Sequence, residues 1–197
     1  VTTHRTSLIA CGALARELKA LIAANGWRHM EVRPLPAILH NRPERIAPAV
    51  RLAIREARET SDRVLVLYGD CGTGGALDRV LEEEGAERIE GAHCYAFYAG
   101  DDVFDAMMEE EPGTFFLTDY LARHFDRLVW RGLGLDRHPQ LFDTYFGNYR
   151  RVVHLAQVPD PAMTVRAEAA AARLGLPLVT RVTGLAGVAR FLAPHAR

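Results

Sequence analysis

The chain has 197 residues, enough for one domain to bury a core without disulfide or metal staples. Its 24 basic and 25 acidic residues nearly cancel, leaving a net charge of −1 and no basic excess to neutralise phosphates, so nucleic-acid binding is not expected. No apolar run approaches the ~20 residues of a membrane span, and the first residues lack a signal-peptide layout, so a cytoplasmic, non-membrane protein is expected.

Residues 7–10 read as a short buried strand, followed by Leu14, Leu18, Leu21 and Ile22 at helical spacing up to an Asn25-Gly26 stop. A second strand is expected over about 30–39, made irregular by Pro34 and Pro36. Residues 43–59 predict a helix with Ile46, Val50, Ile54 and Ala57 on one face, and 63–68 give the clearest buried strand. A glycine-rich turn leads to a helix over about 76–84, and 88–90 suggest a short fourth strand. The aromatic-rich stretch at about 95–150 reads as a helical insertion packed over the sheet. Alternation then returns: a strand at 152–155, a helix at 162–174, a strand at 178–180 and a helix at 185–192. Repeated strand–helix units predict an α/β, Rossmann-like, mostly parallel sheet with helices on both faces, formed by a single domain over 1–197. Ligands of such sheets bind beyond the carboxyl ends of the strands.

The three cysteines fall on that edge. Cys11 follows the first strand, Cys71 the third and Cys94 the fourth. Thiolates are soft ligands that suit zinc or an iron–sulfur cluster. Three protein ligands with an open fourth position is the pattern of a catalytic zinc. His93, beside Cys94, and His40, at the end of the second strand, are candidates for a further ligand or a proton carrier. Glu17 is a candidate base or orienting group, with a solvated helix position as the plainer reading. Three structural cysteines, or a thiol nucleophile without metal, are the competing readings.

The run Asp70-Cys71-Gly72-Thr73-Gly74-Gly75 precedes a helix, so Gly72, Thr73 and Gly74 are candidates for cradling an anionic cofactor. The run lacks a P-loop lysine and the Rossmann spacing. Arg137-His138-Pro139 reads equally as a substrate clamp or a capped helix start, His124 and the cluster of Tyr145, Phe146, Tyr149 and Arg150 read mainly as structural, and Glu82-Glu83-Glu84 and Glu109-Glu110-Glu111 as solvated faces.

Taken together, several motifs resemble the DUF1638 family. They are Ala10-Cys11-Gly12-Ala13-Leu14 with Glu17, Leu39-His40-Asn41, Tyr68-Gly69-Asp70-Cys71-Gly72, Gly91-Ala92-His93-Cys94-Tyr95, the run from Glu111 to Asp119, and Leu135-Asp136-Arg137-His138-Pro139. Members are often encoded beside corrinoid proteins and trimethylamine-methyltransferase-like proteins, which implies a role in one-carbon metabolism. The family often carries an acidic residue where this chain has Ala96, so no acid–base role falls to that position. The Gly-Asp-Cys-Gly turn is also loosely similar to the Gly-Cys-Cys-Gly zinc motif of homocysteine methyltransferases.

The expectation carried forward is a metal-binding enzyme, with zinc at the three cysteines, acting on a small molecule in corrinoid-linked methyl transfer. An iron–sulfur protein with an open coordination site is the first alternative. The second is a non-catalytic accessory protein that binds a corrinoid, a corrinoid protein or a methyltransferase through the aromatic insertion. The sequence does not specify an oligomeric state.

Overall fold

The computed structural model describes residues 4–91 and 93–196. The chain divides into two compact units: one runs to Cys94 and takes back the chain from Val188 onward, and the other is Tyr95–Gly187. Every strand pairing among the described residues is parallel, as expected for an α/β, Rossmann-like fold.

The first unit comprises β1 (Thr6–Cys11), α1 (Ala15–Asn25), β2 (Met30–Leu35), α2 (Ile46–Arg58), β3 (Arg63–Leu67), α3 (Ala76–Glu84) and β4 (Glu87–Arg88), with sheet order β2-β1-β3-β4. All six residues of β1 are buried, the mark of a central strand covered on both faces. Ile46, Val50 and Ile54 are completely buried on α2, confirming the face read from the spacing. β2 stops at Leu35, short of the expected residue 39. Pro34 and Pro36 cannot donate to a ladder, and Ala37–Asn41 turns into a 3-10 helix that carries His40.

The acidic run at the end of α3 is not simply solvated. Arg55 and Arg58 reach from α2 to Glu84, whose side chain is only 8% exposed, while Arg51 pairs with Glu83. The hydrogen bond from Arg55 holds the Glu84 carboxyl below its usual range.

The second unit contains most of α4 (Cys94–Ala99), then α5 (Asp101–Glu110), β5 (Thr114–Thr118), α6 (Asp119–Phe125), α7 (Phe142–Phe146), β6 (Arg151–Ala156), α8 (Pro161–Leu174), β7 (Leu178–Val182) and the start of α9 (Ala186–Leu192), with sheet order β5-β6-β7. The stretch at 95–150 is therefore not a purely helical insertion, because it contributes β5. A strand buried on both faces reads as a continuous apolar run and gives no period-two signal. Phe115 and Leu117 join Val152, Ala167 and Leu174 on one face, and Phe116 joins Phe104, Met107 and Val153 on the other. Arg151 fastens this sheet to α5 by bonding Thr114 Oγ1 at 2.9 Å, Glu110 at 3.0 Å and the Met107 carbonyl at 3.0 Å. No helix among the described residues is long and apolar enough to cross a membrane.

Candidate functional site

Parallel pairing brings Cys11 and the turn that carries Cys71 to one end of the first sheet, while Cys94 opens α4 beyond the two-residue β4. Ala10 of β1 pairs with Leu67 of β3, so one step further along the register sets Cys11 beside Tyr68. Cys11 also pairs with Leu35 at the end of β2. The chain then has to turn at once into α1. A Cβ on Gly12 would stand 2.9 Å from the Leu35 carbonyl oxygen, so glycine is required for this close approach.

Cys71 sits in the turn after β3 with φ of +49°, the one non-glycine residue with positive φ among those described. That conformation is costly for a cysteine, and such strain gathers at functional sites. The turn is held from within by Asp70. Its carboxylate accepts from Thr73 Oγ1 at 2.6 Å, Gly75 N at 2.9 Å and Gly74 N at 3.2 Å, and these bonds keep its pKa below the ordinary value. Thr73 and Gly74, proposed from the sequence as anion binders, thus direct these donors to Asp70. The backbone of Asp70 in turn donates to the Gly91 carbonyl at 3.4 Å, linking the Cys71 turn to the segment that leads to Cys94.

Cys11 and Cys71 are buried, and Cys94 keeps part of its residue surface exposed. All three thiols are free, and all three feel loss of water first. Burial raises Cys11, with hydrogen bonding from the Ala13 backbone and Tyr68 opposing it. Burial and then the neighbouring Cys11 push Cys71 up to about 11, against hydrogen bonds from the Gly69 and Cys94 backbone. The Cys94 sulfur is desolvated despite the residue's partial exposure. Its pKa stands well above the ordinary value, raised by burial, then Cys71, then Cys11. Cys11 thus acts on both Cys71 and Cys94, and Cys71 acts on Cys94, which places the three sulfurs near one another. They are protonated at neutral pH when no cation is present, which argues against a preformed thiolate nucleophile.

Tyr68 was given no role of its own from the sequence, where it ends a buried strand and opens the Tyr68-Gly69-Asp70-Cys71-Gly72 motif. Burial and then Cys11 raise its hydroxyl far above its ordinary pKa, with Cys71 and Cys94 adding to the effect. The hydroxyl is buried and makes no hydrogen bond of full geometry, although the Cys11 sulfur is near enough to couple to it. Glu17 departs from the solvated position that seemed the plainer reading: it is 8% exposed, in the first turn of α1. His40 lies at the surface, crowded enough that burial and then His93 lower its pKa. The two histidines are thus neighbours of each other. Among the described residues, no three His, Cys, Asp or Glu side chains are already drawn into a metal-holding group.

A family model described as a protein of unknown function, DUF1638, matches residues 34–192. The chain belongs to the DUF1638 family. The matched stretch includes His40, Cys71, His93 and Cys94, and Cys11 precedes it. No curated protein and no solved structure matches the chain. Membership in DUF1638 thus bears out the sequence resemblance without assigning a reaction.

Proposed function

We propose that Cys11, Cys71 and Cys94 hold a metal ion, zinc first, at the carboxyl end of the first sheet, and that the protein is an enzyme of corrinoid-linked methyl transfer. The observation that carries this reading is the set of three free, desolvated thiols at the end of β1, in the turn after β3 and at the start of α4, with Cys11 acting on the other two. A divalent cation offsets the cost of ionising such a cluster, and its binding releases the thiol protons. The donor set fits zinc by its chemistry, being three soft sulfurs that leave a position for a substrate. Bound zinc would supply Lewis acidity and a lowered pKa for a substrate thiol.

The chain's own residues have separate tasks in this scheme. Asp70 holds the Cys71 turn in its left-handed form. Tyr68 places a hydroxyl against Cys11. His93 and His40 are the candidate proton carriers, and Glu17 is the buried acid nearest in sequence to Cys11. The reading goes with a cytoplasmic setting, a reducing compartment in which three thiols would stay free to bind metal. The link to corrinoid proteins rests on the family likeness, and an accessory role beside them is the non-catalytic form of the same idea. The all-sulfur donor set also suits an iron–sulfur cluster, which is the second reading.

Anaerobic purification followed by metal analysis and a visible spectrum tests both. About one zinc per chain without colour is expected, and each single Cys→Ser variant at 11, 71 or 94 should lose most of it. Iron with a broad brown absorbance would select the cluster. Full metal retention in all three variants would remove the proposal.

A further inference from the structure

The chain re-enters the first unit at Val188. Val188 and Leu192 of α9 are 2% and 0% exposed, so two apolar side chains anchor the returning segment. A single 3-10 turn, Ala193–His195, follows and ends in a polar contact. The His195 side chain is only 14% exposed and meets the amino end of the first sheet on three sides. Its Nδ1 stands 3.0 Å from Arg63 Nη1 at the start of β3, and its Nε2 stands 3.5 Å from Glu87 Oε1 in β4. Its backbone carbonyl accepts from His29 Nε2, just before β2, at 3.1 Å. The Phe191 ring packs edge-on against the imidazole, with 5.8 Å between centroids.

These partners fix the proton on the ring. A guanidinium only donates, so Nδ1 carries the lone pair and the proton of the neutral ring sits on Nε2, toward Glu87. The neutral imidazole therefore serves both neighbours at once. A second proton would land on Nδ1, where it would abolish the bond from Arg63 and set two cations 3.0 Å apart. Glu87 favours the added charge, but it stands beyond the length of a charge-assisted hydrogen bond and its side chain is 59% exposed, where ion pairs contribute little. The bond from His29 to the carbonyl is made by either charge state of His29 and opposes nothing. Among the described residues, Arg63, Glu87 and His29 are the charged or titratable groups that meet His195 from β3, β4 and the turn before β2.

We infer that His195 is an acid-released latch. Neutral, it straps the end of the returning segment across the amino end of the first sheet; protonated, it lets that end go. Imidazole is the side chain that ordinarily changes charge between about pH 5 and 8, so the latch works in mild acid. The release is local, because Val188 and Leu192 do not titrate and keep α9 in place. The latch lies at the end of the sheet opposite Cys11 and the Cys71 turn, and it stands or falls without a metal there.

Backbone ¹⁵N relaxation of the full chain tests this. At about pH 7.5 the His195 amide should show an order parameter of the rigid range, about 0.85, and at about pH 5.5 it should fall below about 0.6. The Leu192 amide and those of β1 and β3 should stay rigid at both values. In His195→Gln the side-chain oxygen can accept from Arg63 and the amide can donate toward Glu87 without titrating, so residue 195 should stay rigid at both values. The inference is overturned if wild-type His195 keeps its order at about pH 5.5, if Leu192, β1 or β3 loosens as much as His195, or if His195→Gln is disordered at about pH 5.5.

Discussion

The Tyr68 hydroxyl reaches the sulfur cluster from the end of β3, and its coupling to Cys11 is one of the influences that lower that thiol's pKa. Replacing it has a direct chemical readout. In Tyr68→Phe, loss of the hydroxyl dipole beside the sulfur, on the order of 0.5 kcal/mol and so less than a full hydrogen bond, corresponds to a roughly two-fold smaller thiolate fraction. Alkylation of Cys11 near neutral pH, followed by mass spectrometry, should slow by about that factor, and an unchanged rate would show that the hydroxyl does not influence this thiol. The sequence placed Cys11 and Cys71 at the ends of β1 and β3, because strand ends in a parallel sheet are recognisable from buried runs followed by glycine, whereas Cys94, expected just after a fourth strand, begins α4 instead. It did not reveal Tyr68, since a tyrosine ending an apolar strand looks like packing. Glu17 was misread because a glutamate in a helix is usually solvated, and only the tertiary structure buries it. The His195–Arg63 contact joins residues 132 apart in the chain, and it had no local sign.

Elements with clear ends were legible, and those shaped by long-range pairing were not. α3 runs over Ala76–Glu84 as the pattern predicted, framed by glycines at both ends. β5 escaped notice because it lies in an aromatic-rich setting and depends on β6, some forty residues later, for its pairing. α8 shows how a short local signal can matter. Asp160 Oδ1 accepts from the Ala162 N–H at 2.9 Å and Pro161 occupies the first turn, so the helix is capped at its start. Asp160→Ala should cost about 1 kcal/mol, measurable as a lower urea midpoint at unchanged slope. An unaltered midpoint would mean that the cap contributes nothing to stability.

At the scale of the whole molecule, the cluster ties stability to pH. Burial raises Cys11 and Cys94 above the ordinary thiol value of 9.0, Cys71 to about 11, and Tyr68 above 10.0. The folded protein thus holds protons that the unfolded chain releases earlier. The cluster's contribution to stability is full below pH 9 and is lost as pH rises through 9 toward 11 and beyond. Metal-free, reduced protein should therefore unfold at a lower urea concentration at about pH 10.5 than at about pH 8, and the triple Cys→Ser variant should show a shallower decline. Identical profiles would contradict the burial of these thiols.

The arginine ladder of α2 and the two glutamates ending α3 have a consequence for the conditions this protein tolerates. The hydration of charged groups becomes less favourable with heat, so a clasp of this kind gains relative worth on warming, whereas dissolved salt screens it. Ionic strength, more than temperature, is thus the ambient variable to which the α2–α3 clasp of the first unit responds.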